Sequence, residues 1–394
     1  MRSFIKRNWK NALCVVCVLS TVIAFSAGCS LGSKSRLSEI ESKATKIEKL
    51  VETYYLNDVD DDEVEQNIYK GIMNGLEDPY SVYYTEEEYQ ELIEQTQGTY
   101  VGIGVSVRQD TDNGYIKVVK AFTSGPAYKA GVKDGDYITE VNGEDIKDVN
   151  LETVVGKIKG EEGTTVDVTF YRASDDKDYT FTIERRSIDI PTIEYKMLDN
   201  QIGYIQITEF DDVTTQQYLK ALQDLEKQGQ KGLIVDLRDN PGGVLSTVVD
   251  MLNNMLPEGT ILYTEDKNGK GETYKSDGKN EFKKPLVVLV NGNSASASEV
   301  FTGAIKDYGI GTIVGTTTFG KGIVQRIFEL NDGSAIKLTV SKYFTPSGVC
   351  IHGEGIKPDV EVEYDASLQT GDEYNMEQDN QLQKAIEVMN DKIK

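Results

Sequence analysis

The chain has 394 residues, 39% hydrophobic and 27% charged, with 22 Tyr and 11 Phe; this supports a sizeable core, excludes general disorder and suggests roughly two to three domains. The 65 acids outnumber the 42 bases, and the net charge of −23 repels polyanions, which excludes nucleic acid as a partner. His352 is the single histidine and three of the four cysteines (Cys14, Cys17, Cys29) precede residue 30, so no multi-histidine metal site, zinc-binding cysteine cluster or disulfide framework is expected in the body, and no cofactor.

Arg2, Lys6, Arg7 and Lys10 form a basic flank ahead of an uncharged, mostly apolar run over 12–28. A basic flank before a short apolar run reads as an export signal, and residues 1–29 are assigned to it. Ser26-Ala27-Gly28-Cys29 resembles a bacterial lipoprotein cleavage box, which would place a lipid on Cys29. An uncleaved single-span anchor is the rival reading, because the run is at the lower limit for crossing a bilayer; plain secretion is the third. All three put the body outside the cytoplasm, and the first two tether it to the membrane.

Residues 30–97 read as a tether and a helical region. Leu37, Ile40, Ala44, Ile47, Val51 and Tyr54 recur at three- and four-residue steps, followed by Val64, Ile68, Ile72 and Leu76. Such a stripe packs either on the body or on a second copy, which would make a homodimer. Asp78-Pro79-Tyr80-Ser81 breaks the pattern. Residues 98–186 read as a small β domain. A glycine-flanked strand, Val101-Gly102-Ile103-Gly104-Val105, leads it, and two short helices interrupt it.

From 187 to 364 strands alternate with helical patterns, as in an α/β core. The apolar runs Leu233-Ile234-Val235 and Leu286-Val287-Val288-Leu289-Val290 read as buried strands. The polar stretch 265–284 reads as a hairpin or loop. Residues 365–394 read as an acidic linker and a terminal helix.

Three segments of this core carry candidate chemistry. Asn291-Gly292-Asn293-Ser294-Ala295-Ser296-Ala297-Ser298-Glu299 follows a buried strand and opens a helix. A serine there has helix N–H groups at hand for an oxyanion, although the same run also suits a tightly packed helix start. Gly315 to Gln325 includes Phe319-Gly320-Lys321-Gly322. With one histidine in the chain, a Ser-Lys pair is the economical way to activate a serine, whereas a lysine in a turn is ordinarily a surface group. A basic lysine must be neutral near pH 7, which requires a dry pocket. Gln325 would lie about 13 Å from Lys321 along a straight strand, so the glycines must turn the chain for the two to meet. Asp236-Leu237-Arg238-Asp239-Asn240-Pro241-Gly242-Gly243 ends a strand in a glycine turn whose N–H groups suit an oxyanion hole; an ordinary turn with a buried Asp-Arg pair is the alternative.

Taken together and in order, these segments resemble the carboxyl-terminal processing peptidases, or tail-specific proteases. The resemblance runs over residues 50–394 and includes Gly75-Leu76-Glu77-Asp78-Pro79-Tyr80-Ser81, Gly203-Tyr204-Ile205-Gln206-Ile207, Tyr343-Phe344-Thr345-Pro346-Ser347-Gly348 and Gly355-Ile356-Lys357-Pro358-Asp359-Val360. It implies a crotonase-like β/α superhelical protease core with an inserted PDZ-like domain. It implies Ser296 as nucleophile, Lys321 as general base, Gln325 as its support, and Gly242 and Ala297 as oxyanion donors. The PDZ-like domain would take a free C-terminus of a protein or peptide substrate on Val101, Gly102, Ile103 and Gly104, with Lys159 near the ligand where the family often has Arg. Two further readings are a PDZ-bearing scaffold with an inactive core and a penicillin-recognising enzyme built on Ser276-Asp277-Gly278-Lys279.

Overall fold

A computed structural model of the chain describes residues 33–370 and 374–394. Residues 1–29, read from sequence as an export signal, and with them Cys29, lie outside the described residues. The chain divides into two units, 1–72 and 73–394.

The first unit contributes helix α1 (Ser33–Tyr54) and most of helix α2 (Asp61–Asn74). Acidic Asp61, Asp62 and Glu63 favour the positive end of α2, and Asp60 accepts the Glu63 amide at 3.1 Å. The apolar stripe is present but uncovered: Ile40, Ile47, Leu50, Tyr54 and Ile68 are each more than half exposed.

The second unit begins with strand β1 (Val82–Tyr84) and helix α3 (Glu86–Gln97). Thr85 and Glu88 cap α3 reciprocally, and Gly98 ends it in the left-handed conformation. Strand β2 (Thr99–Gly102) then enters the small β domain. Its sheet holds β3 (Val105–Gln109), β4 (Ile116–Ala121), β5 (Tyr137–Val141), β6 (Glu144–Asp145), β7 (Thr165–Arg172) and β8 (Lys177–Glu184). The order is β3-β4-β5-β7-β8, so β3 is an edge. Helices α4 (Pro126–Ala130) and α5 (Leu151–Ile158) complete the domain, and Ile116, Val118, Ile138, Val168 and Phe170 fill its core. Strand β9 (Arg186–Asp189) pairs antiparallel with β2 and returns the chain to the core.

The core is built on a six-stranded sheet. Its members are β10 (Ile193–Leu198), β11 (Ile202–Ile207), β12 (Gly232–Asp236), β15 (Leu286–Val290), β16 (Thr312–Gly315) and β19 (Val360–Glu361), in that order. All neighbours after the β10–β11 pair run parallel. Helices α6 (Thr214–Lys227), α7 (Leu245–Asn253) and α8 (Ala297–Tyr308) bury Leu233, Val235, Val288 and Val290 on one face. Helix α9 (Asn380–Lys392) covers Ile234, Val287 and Leu289 on the other with Leu382, Ala385 and Met389. Cover on both faces explains why these strands are continuously apolar rather than alternating. The terminal helix is thus part of the core. It is fastened by Arg238, which bonds Asp236 at 2.6 Å and Asp379 at 2.8 Å with both carboxylates fully buried.

A second sheet has the order β1-β18-β13-β14, with β17 on β18. Its strands are β13 (Gly259–Asp266), β14 (Thr273–Ser276), β17 (Ile323–Glu329) and β18 (Ala335–Phe344). The polar stretch read as a hairpin is the β13–β14 pair. No helix among the described residues is long and apolar enough to cross a membrane.

Candidate active site

Ser296 stands between the end of β15 and the first turn of α8, with φ 54° and ψ −113°. Side chains seldom occupy that region, so the surrounding contacts must hold it there. Several do. The Ala295 amide and the Ser298 hydroxyl both donate to the Asn240 carbonyl at 3.0 Å. Asp239 accepts the side-chain amides of Asn291 and Asn293 at 2.9 and 2.8 Å. The serine loop and the Pro-Gly-Gly turn are therefore stitched together.

Gly242 lies at the seam with φ 108°. A Cβ there would come 2.7 Å from the Ala295 carbonyl oxygen, 2.8 Å from Ser296 Cβ and 2.9 Å from the Ala297 nitrogen. Only glycine permits that approach. The Gly242 amide donates to Asn240 Oδ1 at 2.8 Å, so it is already engaged. The Ala297 amide has no partner among the described residues and stands at the positive end of α8.

Lys321 reaches the same cavity from the turn just before β17. Burial holds its ammonium below the ordinary lysine value, helped by Lys337 and opposed by Glu299 and Asp78. Its Nζ sits 4.7 Å from the centre of the Tyr80 ring, and no hydrogen bond joins it to Ser296 Oγ. Gln325 donates its side-chain amide to Thr339 Oγ1 at 3.3 Å and does not bond Lys321. Ser296, Ala297, Lys321 and Gln325 nonetheless line one cavity of about 420 Å³. The structure thus gathers the side chains without joining them. His352 is exposed and does not line this cavity. Ser276 is buried and donates to the Leu256 carbonyl, while Lys279 bonds Asp277, so the alternative Ser-x-x-Lys pair is not assembled.

In the small β domain, Val101 and Gly102 belong to β2 and pair with Ser187 and Arg186. Ile103 is buried in the domain core, and Gly104 turns the chain into edge strand β3 with φ 82°. The Tyr100 ring packs against Gly102, and its hydroxyl lies 3.5 Å from the Val105 carbonyl. Burial pushes this phenol up to about 12. Lys159 caps α5, bonds Glu94 at 3.1 Å and stands 5.8 Å from the Tyr100 ring centre. Both charged partners are about half exposed, so the bridge itself adds little stability.

Residues 201–362 match the model of peptidase family S41, and residues 91–170 match the PDZ domain. The carboxy-terminal processing protease CtpA of Bacillus subtilis (strain 168) is 39% identical over 352 residues, covering 88% of this chain and 75% of the relative. The chain belongs to this family of serine peptidases. A probable CtpA-like serine protease of Staphylococcus aureus (strain COL) is 36% identical over 89% of this chain and 70% of its own length. Among solved structures, a photosystem II D1 C-terminal processing protease is 31% identical, with a TM-score of 0.46 over 75% of this chain and 80% of its own.

Two residues hold the main chain on either side of this cavity. Glu299 is fully buried in α8 and accepts four hydrogen bonds. Its Oε2 takes the backbone amides of Ser296 at 2.9 Å and Lys321 at 2.8 Å, and its Oε1 takes the Thr318 hydroxyl at 2.6 Å and the Gly320 amide at 2.7 Å. On the opposite side, the buried Tyr343 hydroxyl lies 3.1 Å from the Ser296 carbonyl and 2.8 Å from the Lys321 carbonyl. One carboxylate and one phenol therefore clamp the two main-chain segments. Glutamine at 299 would offer one acceptor and turn an amide donor toward other donors. Glu299→Gln is expected to lower the unfolding free energy by about 2–4 kcal/mol, read from the urea midpoint, because buried amides lose their acceptor. An unchanged midpoint would show that the clamp is not structural.

Proposed function

We propose that this protein is an exported endopeptidase that captures the C-terminal tails of extracytoplasmic proteins on its PDZ domain and cleaves them with a Ser296–Lys321 dyad. The observation that carries the reading is the shared clamp: Glu299 and Tyr343 each bind the main chain of both residues, and both side chains open into one cavity. The β/α alternation from β11 to β19 fits a crotonase-like superhelix.

In the proposed mechanism, neutral Lys321 takes the proton of Ser296 Oγ, and the oxygen attacks the peptide carbonyl. The N–H groups of Ala297 and Gly242 hold the resulting oxyanion. Lys321 returns the proton to the leaving amine, and water then releases the acyl group. Two local changes precede this from the arrangement described above. Lys321 Nζ leaves the Tyr80 ring, with Gln325 then orienting it, and the Gly242 amide leaves Asn240 Oδ1. A tail bound at residues 101–104, with Lys159 beside it, is the proposed trigger.

The export signal, a lipid on Cys29 and the resulting tether belong to the same proposal. The exposed stripe on α1 and α2 is assigned to a second copy of the chain. Tail capture is tested by mass spectrometry of products from one model protein offered with a free or an amidated C-terminus. The free tail is expected to be cut at least about tenfold faster, since amidation removes the carboxylate that backbone N–H groups bind. Equal rates would overturn tail capture.

A further inference from the structure

The active-site cavity contains an acid without a counter-ion. Phe210 is fully buried, and its main chain is zipped to the oxyanion turn: its amide donates to the Gly242 carbonyl at 2.9 Å, and its carbonyl accepts the Val244 amide at 2.6 Å. Alternation along an extended segment sends the side chains on either side of Phe210 to the opposite face. Those side chains are Glu209 and Asp211, and both line the cavity that holds Ser296.

Asp211 is only 5% exposed, yet its carboxylate makes no hydrogen bond or ion pair among the described residues; only its main chain is engaged, the amide donating to Thr214 Oγ1 and the carbonyl accepting the Thr214 amide. Burial, followed by the charges of Glu209 and Asp212, pushes this carboxyl up to about 7. Burial also raises Glu209, which is more exposed. Helix α3 supplies Leu92, Gln95 and Thr96 to the same wall and no cation. The two lysines of the cavity do not relieve Asp211. Lys321 stands over the Tyr80 ring and Lys337 over the Tyr84 ring, and neither forms an ion pair with Asp211 among the described residues. A shielded carboxylate that faces the cavity without a partner is an acceptor that a cationic ligand can satisfy.

We propose that Glu209 and Asp211 form an acidic subsite for a lysine or arginine side chain of the substrate, next to the scissile bond. The position follows from the zipper: a carbonyl seated at Gly242 and Ala297 brings the neighbouring side chain of the same peptide beside residues 209–211. The subsite is specific for charge rather than size, because the acids supply the polar contact and Leu92 the apolar wall for the stem. It rests on the peptidase reading above and adds a sequence preference to it.

The test uses tailed peptides that differ only by lysine or norleucine, scanned through the three positions on each side of the cut. Wild type is expected to cleave the lysine peptide about tenfold or more faster, in kcat/KM, at one position, as a charge-assisted contact requires. Within Asp211→Asn the ratio is expected to fall to about one to two, and Glu209→Gln to lie between, since it acts at the exposed mouth. Each ratio is internal to one enzyme, so a general loss of activity or folded protein cancels. A wild-type ratio of one or below at every position, or a ratio unchanged in both variants, overturns the subsite while leaving the peptidase intact. If wild type cuts neither peptide, the peptidase reading fails instead. The subsite is then read by fluorescence polarisation of the same peptide pairs on Ser296→Ala, where lysine must still bind about tenfold tighter.

Discussion

Lys321→Ala is expected to reduce kcat/KM by roughly 10³–10⁶-fold, because a serine hydroxyl without a base is a weak nucleophile and dyad members act as a unit. The retained wild-type activity should carry the signature of a depressed amine. Only the neutral form accepts the Ser296 proton, so the rate rises with pH as the amine deprotonates. Burial beside Lys337 moves that midpoint below the ordinary lysine value, while Glu299 and Asp78 limit the shift. A pH–rate profile that rises toward alkaline pH with a midpoint under that value is therefore expected. A profile that is flat or falls with pH would remove Lys321 as the base. Lys321→Arg should not rescue, since guanidinium stays charged across the accessible range.

Ser296→Ala is expected to abolish turnover, with a loss of roughly 10⁴–10⁶-fold, and to leave the fold in place. The residue is held chiefly through its main chain. The Glu299 clamp holds the residue through its amide, and Tyr343 holds it through its carbonyl. Alanine keeps both groups. It also keeps a Cβ in the same unusual φ/ψ, so no new backbone strain is introduced. The variant should unfold at the wild-type urea midpoint and still bind tailed peptides. Turnover by the purified variant would exclude Ser296 as nucleophile.

The architecture was readable where apolar runs left little choice. Leu286–Val290 is a strand buried on both faces, as its unbroken apolar character requires. The motifs carrying Ser296, Lys321 and Gly242 were visible because their residue types are chemically unusual in those settings. The clamp was not. Glu299 lies three residues into the helix from Ser296, a spacing that by itself signals a helix start. Its partners Thr318, Gly320 and Lys321 are brought to it by strand β16 and the turn that follows, and no local periodicity encodes that return. Tyr343 is likewise near Ser296 only because β18 runs beside β17. The Arg238–Asp379 bridge joins segments far apart in the chain, and the sequence showed a terminal helix without its place against the sheet. Asn240 belongs to the strand-end segment 236–243, but its hold on the Gly242 amide depends on the turn geometry. Asp211 was hidden for a related reason: burial and isolation are properties of the packed cavity, not of the Glu-Phe-Asp-Asp run.

Activation of Ser296 by Lys321 is readable by covalent labelling without any knowledge of the natural substrate. Wild type, Lys321→Ala and Ser296→Ala are each treated with a fluorophosphonate in the presence of a free-tailed peptide, and the modified residue is located by peptide mass spectrometry. Label is expected on Ser296 in wild type, at a rate that rises with pH, and almost none in either variant. Label on a different residue, or equal labelling of Ser296 with and without the Lys321 amine, would contradict it.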